Sequence, residues 1–333
     1  MPKESERDLR ASLQLDSPQG ETRARTLLRL AALAFRRGDL KASVSLVDAA
    51  EDAYDHNAAY ARGLRASVAE SRGQIAYLGG HYARAAELFA QAATEYQGVR
   101  GDFREDLGRA LMSEAGAMVQ LKRFAQADAL FARSVSLYLA RFGMANVLTA
   151  TAIQNRALND FERGDFSRAE SRVQQALAVY ARVLEPNHPR RAAALVLLGR
   201  IRTGRNDSAG ALAAFDMARS VYAALYGSRN AAVGDVDFYA AEAASRGGDS
   251  VGALRLLDQT KSIYDASYGP DDPDQVELLM ARARILARGG MHAESARSCS
   301  AGLALQFRLD PQDPALPAAR QSCLALAQVQ AAS

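Results

Sequence analysis

Apolar positions recur along the chain in two nested rhythms. The short one is helical: steps of 4, 7 and 11 residues return a side chain to one face of a 3.6-residue helix. The long one is 42 residues, the interval separating Tyr54, Tyr96, Tyr138, Tyr180, Tyr222 and Tyr264. Eleven residues before each tyrosine stands a small residue, Ser43, Ala85, Ala127, Ala169, Ala211 and Ala253, and Ser295 continues the series. Four residues on come Val47, Phe89, Phe131, Val173, Phe215, Leu257 and Cys299. Three further on come Ala50, Ala92, Ser134, Ala176, Ala218, Thr260 and Gly302. Twelve before the first column lie Ala31, Gly73, Ala115, Ala157, Gly199, Ala241 and Ala283, with Ala325 as an eighth member.

Each cycle therefore predicts two helices. The second has a buried stripe reading small, large, small, tyrosine. The first faces it with a small residue, so the pair can approach near the short end of the usual separation of about 8–10 Å. One hairpin cannot bury its apolar face alone, but stacked copies can. A tyrosine is long enough to cross to the next hairpin and keep its hydroxyl in water.

The turns fit this scheme. Gly38, Gly80, Gly164, Gly248 and Gly290 suit a left-handed helix end. Asp39, Asp165, Asp207 and Asp249 follow as helix N-caps. Between cycles, LEPNHP, YGPDDP and LDPQDP place His188, Asp272 and Asp313 as caps. Pro189, Pro273 and Pro314 then open the next helix, where a missing N–H is harmless.

These columns resemble the tetratricopeptide repeat. GGHYARAAELFAQA carries its hallmark as Gly80, Tyr82, Ala85, Phe89 and Ala92. The period is longer than the common 34 residues and is similar to the 42-residue class of kinesin light chains and bacterial relatives. AIQNRALNDFERGDFSRAE (152–170) resembles their Asn-rich first helix and following turn. Ser208, Ser250 and His292 depart from the turn aromatic of that pattern, so the last repeats are expected to pack more loosely. The resemblance implies an all-α fold, a right-handed superhelical solenoid of about seven helix-turn-helix repeats of 42 residues plus a C-terminal capping helix. Residues 1–23 are expected to form a polar arm, part helical, with a break at Ser17-Pro18-Gln19-Gly20. Residues 24–331 form one continuous repeat domain, closed by a helix with Gln321, Gln328 and Gln330 as polar positions.

Charge and motif content narrow the function. The net charge of +3 lacks the clustered positive footprint of a nucleic-acid binder. No apolar run reaches 18 residues, so membrane insertion is not expected. The two cysteines are too few for a disulfide scaffold and point to a reducing compartment, hence a cytoplasmic location. Cys299 falls in a core column and reads as a small hydrophobe. His56, His81, His188 and His292 are scattered, and there is no phosphate loop, nucleophile elbow or metal-ligand spacing. No catalytic residue, metal or cofactor is predicted.

What remains is the face of the first helices turned away from the packing columns, which in this family lines the inner surface. Its columns vary from repeat to repeat, as expected where each touches a different part of one ligand. The expected peptide-binding groove comprises Glu70, Gln74, Tyr77, Arg109, Met112, Gln154, Asn155, Leu158, Phe161, Arg200, Phe238, Glu242 and Arg284. Aromatic anchors, arginines for carboxylates and glutamates of opposite sign suit an extended or helical peptide. The clamp by which some tetratricopeptide domains grip a C-terminal carboxylate is not expected. Asn155 matches one of its positions, but Ser113 and Leu197 flank it one repeat away and the lysine is missing. The expected function is a non-catalytic adaptor for a protein or peptide. The alternative is a sensory or regulatory repeat domain of a multidomain signalling protein.

Overall fold

The computed structural model describes residues 2–15, 19–58, 60–99 and 101–328. Ser17, Pro18 and Gln330 lie outside the described residues, as does the side chain of Gln328. Among the described residues there are sixteen helices and no strand. The chain divides into two compact units, Met1–Asp165 and Phe166–Ser333.

The first unit holds α1 (Pro2–Leu15), α2 (Glu21–Arg36), α3 (Leu40–Asp52), α4 (Ala61–Leu78), α5 (Tyr82–Gln97), α6 (Arg104–Gln120), α7 (Phe124–Phe142) and α8 (Val147–Glu162). The pairs α2–α3, α4–α5 and α6–α7 are the predicted hairpins, and each second helix also packs on the first helix that follows. Within the expected arm, α1 packs on α2, with Leu13 set against the core around Leu27 and Val68.

The second unit holds α9 (Phe166–Val183), α10 (Pro189–Gly204), α11 (Ser208–Tyr226), α12 (Ala231–Arg246), α13 (Ser250–Ser267), α14 (Pro273–Arg288), α15 (His292–Leu309) and α16 (Leu316–Gln328). Its hairpins are α10–α11, α12–α13 and α14–α15, with α16 on the outer side of α15. Each unit is thus a stack of helical hairpins, the repeat solenoid expected from the 42-residue period.

The packing columns occupy the places their periodicity assigned. Ala85, Ala127, Ala169, Ala211 and Ala253 have no exposed surface, and Phe89, Phe131, Val173, Phe215 and Leu257 are buried beside them. The close approach of the paired helices is steric. A Cβ on Gly73 would lie 2.7 Å from the Phe89 ring, and one on Gly199 would lie 2.5 Å from the Phe215 ring. Where a column carries a hydroxyl, it bonds the facing helix: Ser43 Oγ donates to Ala31 O at 3.1 Å and Ser295 Oγ to Ala283 O at 2.8 Å.

The tyrosine hydroxyls are less wet than expected. Tyr96 donates to Glu70 at 3.0 Å, Tyr138 to Glu105 O at 3.3 Å and Tyr264 to Asp235 at 2.7 Å. Burial pushes the Tyr138 phenol up to about 12.

Turn chemistry follows the sequence closely. Asp39, Asp207 and Asp249 accept from the N–H three residues on, while His188 and Asp272 accept from the N–H two residues on. All five predicted turn glycines have positive φ, and Lys122 and Asn206 take that conformation in the cycles without a glycine. Pro314 differs from Pro189 and Pro273. It stands in the turn before α16, which starts at Leu316, and Asp313 accepts from Ala315 N.

The cysteines correct the expectation drawn from their number. Cys299 and Cys323 form a disulfide with Cα atoms 5.7 Å apart, so Cys299 is one end of a crosslink rather than a free core thiol. A count of two says nothing about proximity, whereas the docking of α16 on α15 brings the pair together. The bond is stable in an oxidising environment, opposite to the reducing one the count suggested.

Candidate functional site

The residues expected to line a groove lie on the first helices α4, α6, α8, α10, α12 and α14 and are mostly half-buried. Their chemistry divides them. Glu70 is buried and accepts from Arg109 through two bonds, Nε to Oε1 at 2.6 Å and Nη2 to Oε2 at 2.9 Å. Arg109 also holds Asp106 at 2.9 Å. These residues satisfy each other across α4 and α6 rather than standing as separate anchors of opposite sign. The Glu70 bond keeps the Arg109 guanidinium above its ordinary range. Burial, followed by the Glu70 charge, raises the Tyr96 phenol.

Glu242 is similarly taken up, by Arg246 at 2.8 Å and by both Arg288 nitrogens at 2.8 and 2.9 Å. Arg284 bonds Glu277 at 3.0 Å, with both side chains largely in solvent. The Arg200 guanidinium lies over the Tyr239 ring, 5.0 Å from its centroid.

The remaining residues do not converge on one place. In the first unit, Gln74 and Tyr77 border an apolar hollow of about 200 Å³ with Phe35, Phe89 and Gly116. Tyr77 meets Tyr82 edge-on at 5.2 Å. The Asn155 amide reaches the Met112 sulfur at 3.9 Å. Gln154, Leu158 and Phe161 are half-buried along α8.

The second unit holds a larger hollow, about 430 Å³, spanning three successive first helices. Ala193 and Val196 from α10 form one wall, and Asp274 and Glu277 from α14 the opposite one. Asp235, Phe238 and Tyr239 from α12 lie between them, with Tyr222 and Tyr264 reaching in from the second helices. Ala193 and Ala232 leave the space that longer side chains would fill. Of the predicted residues only Phe238 lines this hollow. Asp235, Asp274, Tyr222 and Tyr239 were missed. Extending the variable stripe one turn towards the helix start would have found part of the set, since the series Ser67, Arg109, Thr151, Ala193, Asp235, Glu277 turns acidic there.

The acids of this hollow differ in pairing: Glu277 holds Arg284, while Arg200 lies over the Tyr239 ring. Among the described residues, neither Asp235 nor Asp274 pairs with a basic side chain. Burial raises the Asp274 carboxyl, and Asp272 and Asp235 add to the effect. The Tyr264 phenol is raised by burial and by its bond to Asp235. Desolvation, and then Asp235, Asp274 and Asp272, raise the phenol of the half-exposed Tyr268. No Lys or Arg is part of the lining. Among the described residues no group of His, Cys, Asp or Glu is placed to hold a metal ion.

A second opening, about 570 Å³, lies between α11 and α13 and includes Asp237 and Arg219. Asp237 is 1% exposed, and its Oδ1 accepts from Arg219 Nε at 2.8 Å. Other cycles carry Leu27, Ala69, Leu111, Ile153, Leu195 and Leu279 at this position, whereas that of Arg219 is mixed: Glu51, Ala93, Val135, Leu177, Lys261 and Leu303. Burial raises the Asp237 carboxyl more than Arg219 lowers it. The folded form therefore favours the protonated acid, and stability falls as pH rises from the ordinary aspartate value through the raised folded one. Replacing both by leucine should raise stability by about 1–2 kcal/mol at pH 7, because an apolar pair has no desolvation cost. Arg219→Leu alone should lower it and recover towards acid pH. Urea unfolding at pH 7 and pH 4 checks both, and a destabilised double variant would contradict this account.

Residues 146–224 match the tetratricopeptide repeat family model. A comparison with curated protein sequences finds no match. Among solved structures, the apo form of RapI is 16% identical, with 86% of this chain and 99% of that one covered at a TM-score of 0.65. A Rap protein complexed with competence and sporulation factor is 12% identical over 98% of this chain and 92% of its own, with a TM-score of 0.66. BtubC (BKLC) from P. vanneervenii is 18% identical over 74% and 90%, with a TM-score of 0.53. These likenesses establish the fold. No described helix is long and apolar enough to cross a membrane.

Proposed function

We propose that this chain, whose residues 146–224 match the tetratricopeptide repeat model, is a non-catalytic adaptor holding a protein segment on the first-helix face of its second unit. The observation that carries this reading is the hollow across α10, α12 and α14. Its rings and carboxylates come from three successive repeats, so an extended or helical segment could touch all three at once. Phe238 and Tyr239, edge-on at 5.6 Å, supply the apolar anchor surface. Rings of this size dominate interface energetics when desolvated. The likeness of fold to a Rap protein complexed with a factor supports the same use of such a scaffold.

The test is selection of a random peptide display library on the immobilised full chain, followed by binding of the selected peptides to Phe238→Ala. Affinity should fall about tenfold or more, the loss of an anchor worth at least about 1.4 kcal/mol. Helicity by circular dichroism should be unchanged. Selected peptides that bind wild type and variant equally would remove the hollow from the binding surface.

A further inference from the structure

We infer that the hollow of the second unit is a receptor for an alkylguanidinium or alkylammonium group, the Lys or Arg side chain of the bound segment. This rests on the adaptor reading for the source of the cation, though not for the chemistry of the cavity.

Two features point to a cation, and a third argues against the alternatives. The first is shape and lining: the rings of Tyr222, Phe238 and Tyr239 wall a cavity of about 430 Å³, and aromatic faces attract cations through their quadrupole. The Arg200 guanidinium, 5.0 Å from the Tyr239 centroid, already takes one face of this ring, which shows that the ring accepts a positive group and leaves Tyr222 and Phe238 as the other aromatic walls. The second is charge placement. Asp235 on α12 and Asp274 on α14 both line the space without a basic partner. The Tyr264 hydroxyl, donating at 2.7 Å, steadies Asp235 Oδ1. The other carboxylate oxygen remains available for a charge-assisted bond.

The third feature is what the site does not fit. An acidic peptide or a phosphate would meet uncompensated carboxylates of its own sign. A bare divalent ion needs several oxygen ligands at about 2.0–2.6 Å, and these carboxylates are not grouped for that. An organic cation on an alkyl stem uses both halves of the lining, because its stem packs on apolar surface while its head reaches the acids. Tyr226 and Tyr268, each about half exposed, extend the aromatic surface of α11 and α13 beyond the lining tyrosines, 6.1 Å from Tyr222 and 5.8 Å from Tyr264.

The experiment titrates the full chain with N-acetyl-arginine amide and with its neutral counterpart N-acetyl-norleucine amide, followed by NMR. The same peptides recovered by display are tested in parallel. The arginine compound should shift signals around Phe238 and Tyr239 and the norleucine compound should not. Asp235→Asn/Asp274→Asn should weaken arginine binding at least about tenfold, and added salt should weaken it in the wild type. The selected peptides should be rich in Lys or Arg and lose affinity in the same variant. Equal shifts from both compounds, or an unaffected double variant, would overturn the inference. Peptides that need Phe238 yet show no basic preference would also overturn it while leaving the adaptor reading intact. Arginine amide binding with no peptide recovered would retain the cation site and reject the adaptor reading.

Discussion

Phe89→Ala is expected to lower stability by about 3–5 kcal/mol, the usual loss for a buried aromatic replaced by a methyl group. The ring is 2% exposed and is gripped from both sides of its hairpin. Ala85 and Ala86 lie on its own helix, Gly73 on α4 permits its close approach, and Ala117 of α6 closes the far side. Alanine would leave a void between three helices that are themselves lined by small residues. Tyr77 and Met118, partly buried against the same cluster, can fill only part of it. Because hairpins couple to their neighbours rather than to the whole chain, the damage should be local. Hydrogen exchange should show α4, α5 and α6 losing protection first, and urea unfolding should gain an early step. A loss below about 1 kcal/mol would show that the ring is not a core element.

Cys323→Ala should cost about 3 kcal/mol in oxidised protein. The two cysteines are separated by 24 residues, and closing a loop of that order removes comparable unfolded-state entropy. Leu316 is buried at the start of α16, while Leu324 is 62% exposed, so the crosslink adds to a partly exposed noncovalent contact. The expected result is early exchange throughout α16 in the variant and a lower midpoint for the second unit. Wild type treated with reductant should match the variant. Identical unfolding of oxidised and reduced wild type would show that the crosslink contributes nothing.

Both results test elements whose legibility differed. The environment of Phe89 followed from its place four residues after Ala85 in a column repeated every 42 residues. Helical phase is local, so a large residue between two small ones on one stripe can be placed without coordinates. The Cys299–Cys323 bond had no such signal, since it depends on where the helix after the last hairpin docks. The groove residues lay between these extremes. Their face was readable from phase, and most are half-buried there. Their partners were not, because Glu70 with Arg109 and Glu242 with Arg288 pair between successive repeats through long side chains whose rotamers no periodicity encodes.

By itself the sequence determined that the chain folds into stacked helical hairpins, where they turn, and which small, large and tyrosine positions form their seams. Those are properties of short-range geometry: a stripe must be buried, a close helix crossing needs small residues, and a helix end needs a cap or a left-handed turn. Only the tertiary structure decided which charges on the remaining face are already spent and which are open. Glu70, Arg109 and Glu242 neutralise one another or a neighbour, whereas Asp235 and Asp274 face a cavity without a counterion. That outcome depends on distances between side chains dozens of residues apart and on the space left by Ala193 and Ala232, quantities that exist only once the helices have packed.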